Sequence, residues 1–192
     1  MVNHFEGTVC ASTQEIVYLK HTVPALKDKE FETMQIFKAS RDGQQGKDFH
    51  RLVDGKGATV TFCKLTNNIT VAGFTSVPWK SGGGGVKDTT AMILNLTNNN
   101  SFNARDNKDG GIYCMSISGP NFGSVELTAS QPFLGEGRII SLVDCDGYMI
   151  GGAKGNLKSG DINPLTQDKI RSNLSSKSTA KEIEVWLIKF TK

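Results

Sequence analysis

The 192-residue chain has no long apolar run, no block of like charge and no cysteine-dense segment, and each absence removes a class of protein. A bilayer-spanning helix needs about 20 consecutive apolar residues, and no stretch approaches that. The 22 basic and 19 acidic residues are interspersed, so the basic stripe that wraps duplex nucleic acid is missing and nucleic-acid binding is disfavoured. The first residues, Met1-Val2-Asn3-His4-Phe5-Glu6, have neither a basic nor an apolar targeting region. With Cys10, Cys63, Cys114 and Cys145 scattered singly, the expectation is a cytoplasmic protein with reduced, mostly buried thiols. The Asn-x-Ser/Thr patterns at Asn68, Asn95, Asn99 and Asn173 are then coincidental.

Catalytic and metal signatures are equally scarce. There is no Gly-x-Ser-x-Gly, His-Glu-x-x-His or Cys-x-x-Cys, and the three histidines, His4, His21 and His50, neighbour no nucleophile motif. The glycine run Gly82 to Gly85 lacks the spacing and the Gly-Lys-Ser/Thr of a phosphate loop, which leaves a flexible surface loop. Asp144-Cys145-Asp146-Gly147 starts like a calcium loop. Met149 and Gly155 stand where that loop needs a glycine and a bidentate acid, so a β-turn is expected instead. No catalytic residue, cofactor or metal is expected.

What is present is dense between residues 37 and 79. Ser40-Arg41-Asp42-Gly43 reads as a turn, because Asp bonds its own backbone two residues on and glycine tolerates positive φ. Phe49, Leu52 and Val53 fall at i, i+3 and i+4, which predicts a short helix over 47–54, with Gly55 or Gly57 at its stop. For His50 within it, a bond to a backbone carbonyl or partial exposure competes with acid–base work or a partner contact. Residues 58–65 and 69–75 are rich in β-branched and aromatic residues around Thr66-Asn67-Asn68, a β-hairpin signal. Either Thr66-Asn67 or Asn67-Asn68 fits the turn centre, and that one-residue choice decides which faces Phe62 and Phe74 bury.

Upstream, Thr13 is placed to cap a helix over 14–20 that buries Ile16 and Leu19, and Pro24 bars its continuation. Phe31 to Ala39 reads as a strand. Downstream, strands are expected at 91–96, 102–105, 112–117, 124–129, 139–143 and 148–150, with a helix opening at Asn163-Pro164-Leu165. The last strand, 183–190, is apolar on both faces from Val185 on and belongs in a sheet interior. Short strands with regular turn residues argue for a mainly β fold, a two-sheet antiparallel β-sandwich with a few short edge helices. A lead-in of residues 1–30 precedes the β-sandwich domain of residues 31–192.

The order of these motifs resembles the TLDc domain of the oxidation-resistance proteins and their nuclear-receptor-coactivator relatives. It is carried by Ser40-Arg41-Asp42-Gly43, Asp48-Phe49-His50-Arg51-Leu52, Ala72-Gly73-Phe74 through Trp79, Gly119-Pro120-Asn121-Phe122-Gly123, and Glu184-Val185-Trp186. Ala72-Gly73-Phe74 departs from the Gly-Gly-Tyr common in that family. The resemblance implies a non-enzymatic interaction module linked to oxidative-stress resistance. Its implied partner is the peripheral sector of the vacuolar-type proton-pumping ATPase, reached from the cytoplasm at an organelle surface. Two alternatives stay open: a structural subunit of a larger cytoskeletal or ciliary assembly, contacting tubulin or axonemal proteins, and an antioxidant enzyme, which needs a reactive cysteine or a metal that the sequence does not indicate. The candidate partner-binding residues are the motif positions Ser40, Arg41, Asp42, Gly43, Phe49, His50, Gly73, Trp79, Gly119, Phe122, Gly123, Glu184 and Trp186.

Overall fold

The computed structural model of the chain describes residues 4–66, 68–103, 111–122, 127–129, 140–142 and 180–191. Among the described residues, helices α1 (Thr13–Thr22), α2 (Ala39–Asp42) and α3 (Gly46–Val53) accompany eleven strands. These are β1 (Phe31–Lys38), β2 (Thr59–Leu65), β3 (Thr70–Thr75), β4 (Gly84–Val86), β5 (Met92–Asn95), β6 (Asn100–Asn103), β7 (Ile112–Cys114), β8 (Asn121–Phe122), β9 (Leu127–Ala129), β10 (Ile140–Leu142) and β11 (Ala180–Phe190). A six-stranded sheet runs β1-β11-β2-β3-β5-β6 and a five-stranded sheet runs β10-β9-β8-β7-β4. Among the described residues all pairings are antiparallel and neither sheet closes into a barrel, the expected sandwich. Among the described residues no helix is long and apolar enough to cross a membrane.

The larger sheet is covered on both faces, which explains its apolar strands. On β11, which lies between β1 and β2, Ile183 and Val185 join the cluster shared with α3 and the second sheet. Trp186 and Ile188 join the opposite cluster, closed by Phe5, Cys10, Leu19, Val23 and Leu26 of the N-terminal segment and α1. Residues 4–26 are thus the lid of the outer face. The hairpin register is settled by a turn closed from the Leu65 carbonyl to the Asn68 N–H, with Asn68 at φ +67° and Leu65 N–H bonded to the Ile69 carbonyl. That register turns Phe62 and Phe74 together to the outer face and Cys63, Leu65 and Val71 inward.

Several local expectations shift by a residue or two. Ser12, not Thr13, caps α1: its hydroxyl accepts from Glu15 N–H while the Glu15 carboxylate takes the Ser12 N–H at 2.8 Å. Ser40-Arg41-Asp42 closes as one helical turn, α2, ending at Gly43 with φ +115°. The glycine run is not all loop, because Gly84–Val86 pairs with β7 as an edge strand. Strand β7 stops at Cys114, and residues 115–118 turn back through a Ser118 N–H to Met115 carbonyl bond of 3.0 Å. The strand at 148–150, the helix at 163–165 and the turn at 144–147 lie outside the described residues.

Candidate functional site

An inner aromatic column gathers the motifs. Phe37 and Phe49 meet edge to face at 5.8 Å, Phe49 and Trp79 at 5.4 Å, and Trp79 and Phe122 at 5.4 Å. All four rings are buried, and the Trp79 indole N–H donates to the Thr59 hydroxyl at 3.0 Å. The far end of the column rests on Gly73, where a Cβ would stand 2.2 Å from the Phe122 ring. Glycine at 73 is therefore a packing requirement: β3 needs a bare backbone so that a ring from the second sheet can lie on it. Each such ring contributes about 1.5–3 kcal/mol by burial, with about 0.5–1.5 kcal/mol more from each edge-to-face pair.

A polar system ties the corner of α2 and the N-terminal segment to β11. Ser40 gives its N–H, at 3.1 Å, and its hydroxyl to the Glu182 carboxylate, whose side chain also takes the Ile183 N–H. Glu184 is fully buried. It accepts from the Thr8 hydroxyl, the Val9 N–H at 3.2 Å and the Trp186 indole N–H at 3.3 Å, and pairs with Lys38 at 3.6 Å. Arg41 folds onto Asp42 and Gln35 at the surface, while Asp42 accepts the Lys38 N–H. The hydrogen-bonded Arg41 guanidinium holds the Asp42 carboxyl below its ordinary range.

His50 joins α3 to the second sheet. Its Nδ1 lies 2.7 Å from Asp54 Oδ1 and its Nε2 lies 2.8 Å from the Met115 carbonyl, while Asp54 Oδ2 takes the Ser81 hydroxyl at 2.6 Å. Serine, aspartate and histidine meet here in the wrong order for nucleophile activation. The carboxylate sits between the other two, Ser81 does not bond the imidazole, and the second ring nitrogen is occupied by a carbonyl. The arrangement can brace the join between layers, and of the readings open for His50 it realises the bond to a backbone carbonyl.

Among the described residues thiol chemistry finds little purchase; Cys145 lies outside them. Cys10, Cys63 and Cys114 are buried and unpaired with one another. Burial pushes all three thiols up, assisted at Cys10 by Glu184 and Glu182, the opposite of what an oxidant-sensing thiolate needs. Among the described residues no three His, Cys, Asp or Glu side chains converge to hold a metal.

Of the motif positions, Ser40 and Arg41 are exposed and Asp42 and Gly43 half-buried. Phe49, His50, Gly73, Trp79, Gly119, Phe122, Glu184 and Trp186 are buried. Gly123 lies outside the described residues. The column unites Phe49, Gly73, Trp79 and Phe122; Ser40 bonds the Glu182 carboxylate, and Glu184, also on β11, is the acceptor of a separate set of bonds. Two groups escaped the sequence reading. Glu182 was one, an acid near the start of β11 with no pattern to mark it. The other is Asp88, buried and accepting from the hydroxyls of Thr75, Ser76 and Thr90 and from the N–H of Ser76 and Thr90, at 2.6–3.0 Å. The string Asp88-Thr89-Thr90 carries an Asx-turn signal that could have found it.

A family model for the TLDc domain matches residues 5–189. A comparison with curated proteins gives no significant match.

Proposed function

Because the chain belongs to the TLDc domain family, which is linked to resistance to oxidative stress, we propose that it is a non-enzymatic interaction module acting on the vacuolar-type proton-pumping ATPase. It binds the peripheral sector of the pump from the cytoplasmic side and alters its assembly. The observation that carries this reading is the family match over residues 5–189. The chemistry of the described residues supports it. The motif side chains are engaged in packing and capping, both nitrogens of His50 face acceptors, and the three described thiols are buried with their ionisation suppressed.

The test is co-sedimentation of the purified protein with intact pump, together with ATP hydrolysis and the fraction of peripheral sector released. Stoichiometric binding with a change in assembly is expected. Absence of both, with the protein well in excess over the pump, overturns the reading. Recovery of tubulin or axonemal proteins instead, from the protein's own cells, moves the function to a structural role.

A further inference from the structure

The connection from β7 to β8 presents two large apolar side chains to solvent, Met115 at 38% exposure and Ile117 at 63%. The remaining exposed large apolar residues among those described, Val9, Val17, Met34 and Phe190, stand singly on separate elements. Soluble surfaces carry isolated apolar side chains without consequence, but two on one apex form a patch.

This apex is held from behind. The Met115 carbonyl accepts from His50 Nε2 at 2.8 Å, from Ser118 N–H at 3.0 Å and from the Ser118 hydroxyl at 3.3 Å. At Gly46, the first residue of α3, a Cβ would come within 2.6 Å of the Ile117 carbonyl carbon, so helix and turn are in backbone contact. A braced apex loses little conformational freedom when a partner covers it, which is the condition for an anchor.

On α3, which meets this turn through Gly46 and His50, the next residues along, Lys47 and Arg51, are exposed to solvent, four residues apart on one helix face. Neither forms a close ion pair among the described residues; Arg51 bonds the Asp42 carbonyl at 3.4 Å and acts on the Asp42 carboxyl only as a more distant charge. The nearby acids are otherwise engaged: Asp42 with Arg41, Asp48 with the Gln45 N–H, and Asp54 with His50 and Ser81. Lys47 also sits in the first turn of α3, where a cation opposes the helix dipole and an external carboxylate relieves the conflict.

We propose that Met115, Ile117, Lys47 and Arg51 form a docking surface for an acidic amphipathic helix of a protein partner. Its apolar ridge takes Met115 and Ile117 between residues spaced i, i+3, i+4, and its carboxylates, one row over, meet Lys47 and Arg51. An anionic bilayer fits less well, since a surface with two cations gains only about 1 kcal/mol from each and stable membrane attachment needs more basic residues than that. The inference rests on the interaction-module reading and assigns that module its contact face.

The experiment places a photo-crosslinking residue at position 117 of the full-length protein in its own cells, with position 17 on α1 as control, and sequences the trapped segment. Position 117 is expected to trap one acidic helical segment that position 17 does not. Met115→Ser with Ile117→Ser, and separately Lys47→Glu with Arg51→Glu, should weaken that partner's binding by roughly tenfold or more, without lowering the melting temperature. The charge-reversed variant should recover binding when the trapped acids are changed to Lys. Crosslinking at 117 no stronger than at 17, a basic trapped segment, crosslinks to lipid alone, or full binding by both variants overturns the proposal. A trapped partner that is not the proton pump removes the pump reading and leaves the surface standing. Pump binding untouched by the variants does the reverse.

Discussion

The two faces of the six-stranded sheet are closed by different physics. The inner face is filled by interlocking shape: Phe37, Phe49, Trp79 and Phe122 in contact, ending on the bare backbone of Gly73. The outer face is also apolar, but its cover is a chain segment held by hydrogen bonds. Phe5 N–H goes to Thr33, Thr8 and Val9 go to Glu184, and the Cys10 carbonyl takes the Thr70 hydroxyl. An inner face built this way should be sensitive to volume, and an outer face to the loss of acceptors.

The sharpest way to break the contrast is at the column's end. Phe122→Ala is expected to cost about 3–5 kcal/mol in urea unfolding. Gly73→Ala alone should cost about 1–3 kcal/mol or prevent folding, because the new methyl meets the ring. In the Phe122→Ala background the Gly73→Ala penalty should largely vanish, so strictly additive costs would show that the ring does not rest on that glycine.

On the outer face, Glu184→Gln should cost about 2–3 kcal/mol, since the amide cannot pair with Lys38 and turns a donor toward donors. Its signature is local: limited proteolysis near residues 4–11 should accelerate, while the Gly73 and Phe122 variants at matched stability should not show that selectivity.

Asp88 sharpens the comparison through pH. Burial pushes its carboxyl up, but bonds from Thr90, Thr75 and Ser76 outweigh burial and leave it below its ordinary value. A carboxylate depressed on folding contributes stability that is full above the unfolded value, near pH 4, and is lost as pH falls through the lower folded value. Asp88→Asn is expected to cost about 1–3 kcal/mol at neutral pH. Its stability should fall less steeply below about pH 4 than the parent's, and identical acid profiles would remove Asp88 from the account. The smallest effect belongs to the cap: Ser12→Ala should cost about 1 kcal/mol, read as a lower melting temperature with the inner face unaffected.

Legibility followed the range of the interaction. The Phe49, Leu52, Val53 stripe marked α3, and the β-branched runs marked β2 and β3, because both signals are local periodicities. The cap of α1 fell one residue early, at Ser12, since Ser12 and Thr13 are both competent caps and only the reach of Glu15 chooses between them. Strand β4 was hidden because glycine-rich sequence carries no strand signal, and Gly84–Val86 is ordered by β7, distant in sequence. His50 looked ambiguous for a similar reason, its carbonyl partner being 65 residues away.

Composition, turn residues and period-two patterning thus determined a mainly β, antiparallel architecture, the helices α1 and α3, and through motif order the chain's TLDc membership. Each depends on residues near one another in the chain. Tertiary structure alone decided the strand order with β11 between β1 and β2, the outward turn of Phe62 and Phe74, and the seat of Phe122 on Gly73. It also decided that Met115 and Ile117 stand in solvent on a turn that rests against Gly46 and His50 of α3. These depend on which distant segments meet, and in a sheet protein that is set by pairing across the whole chain.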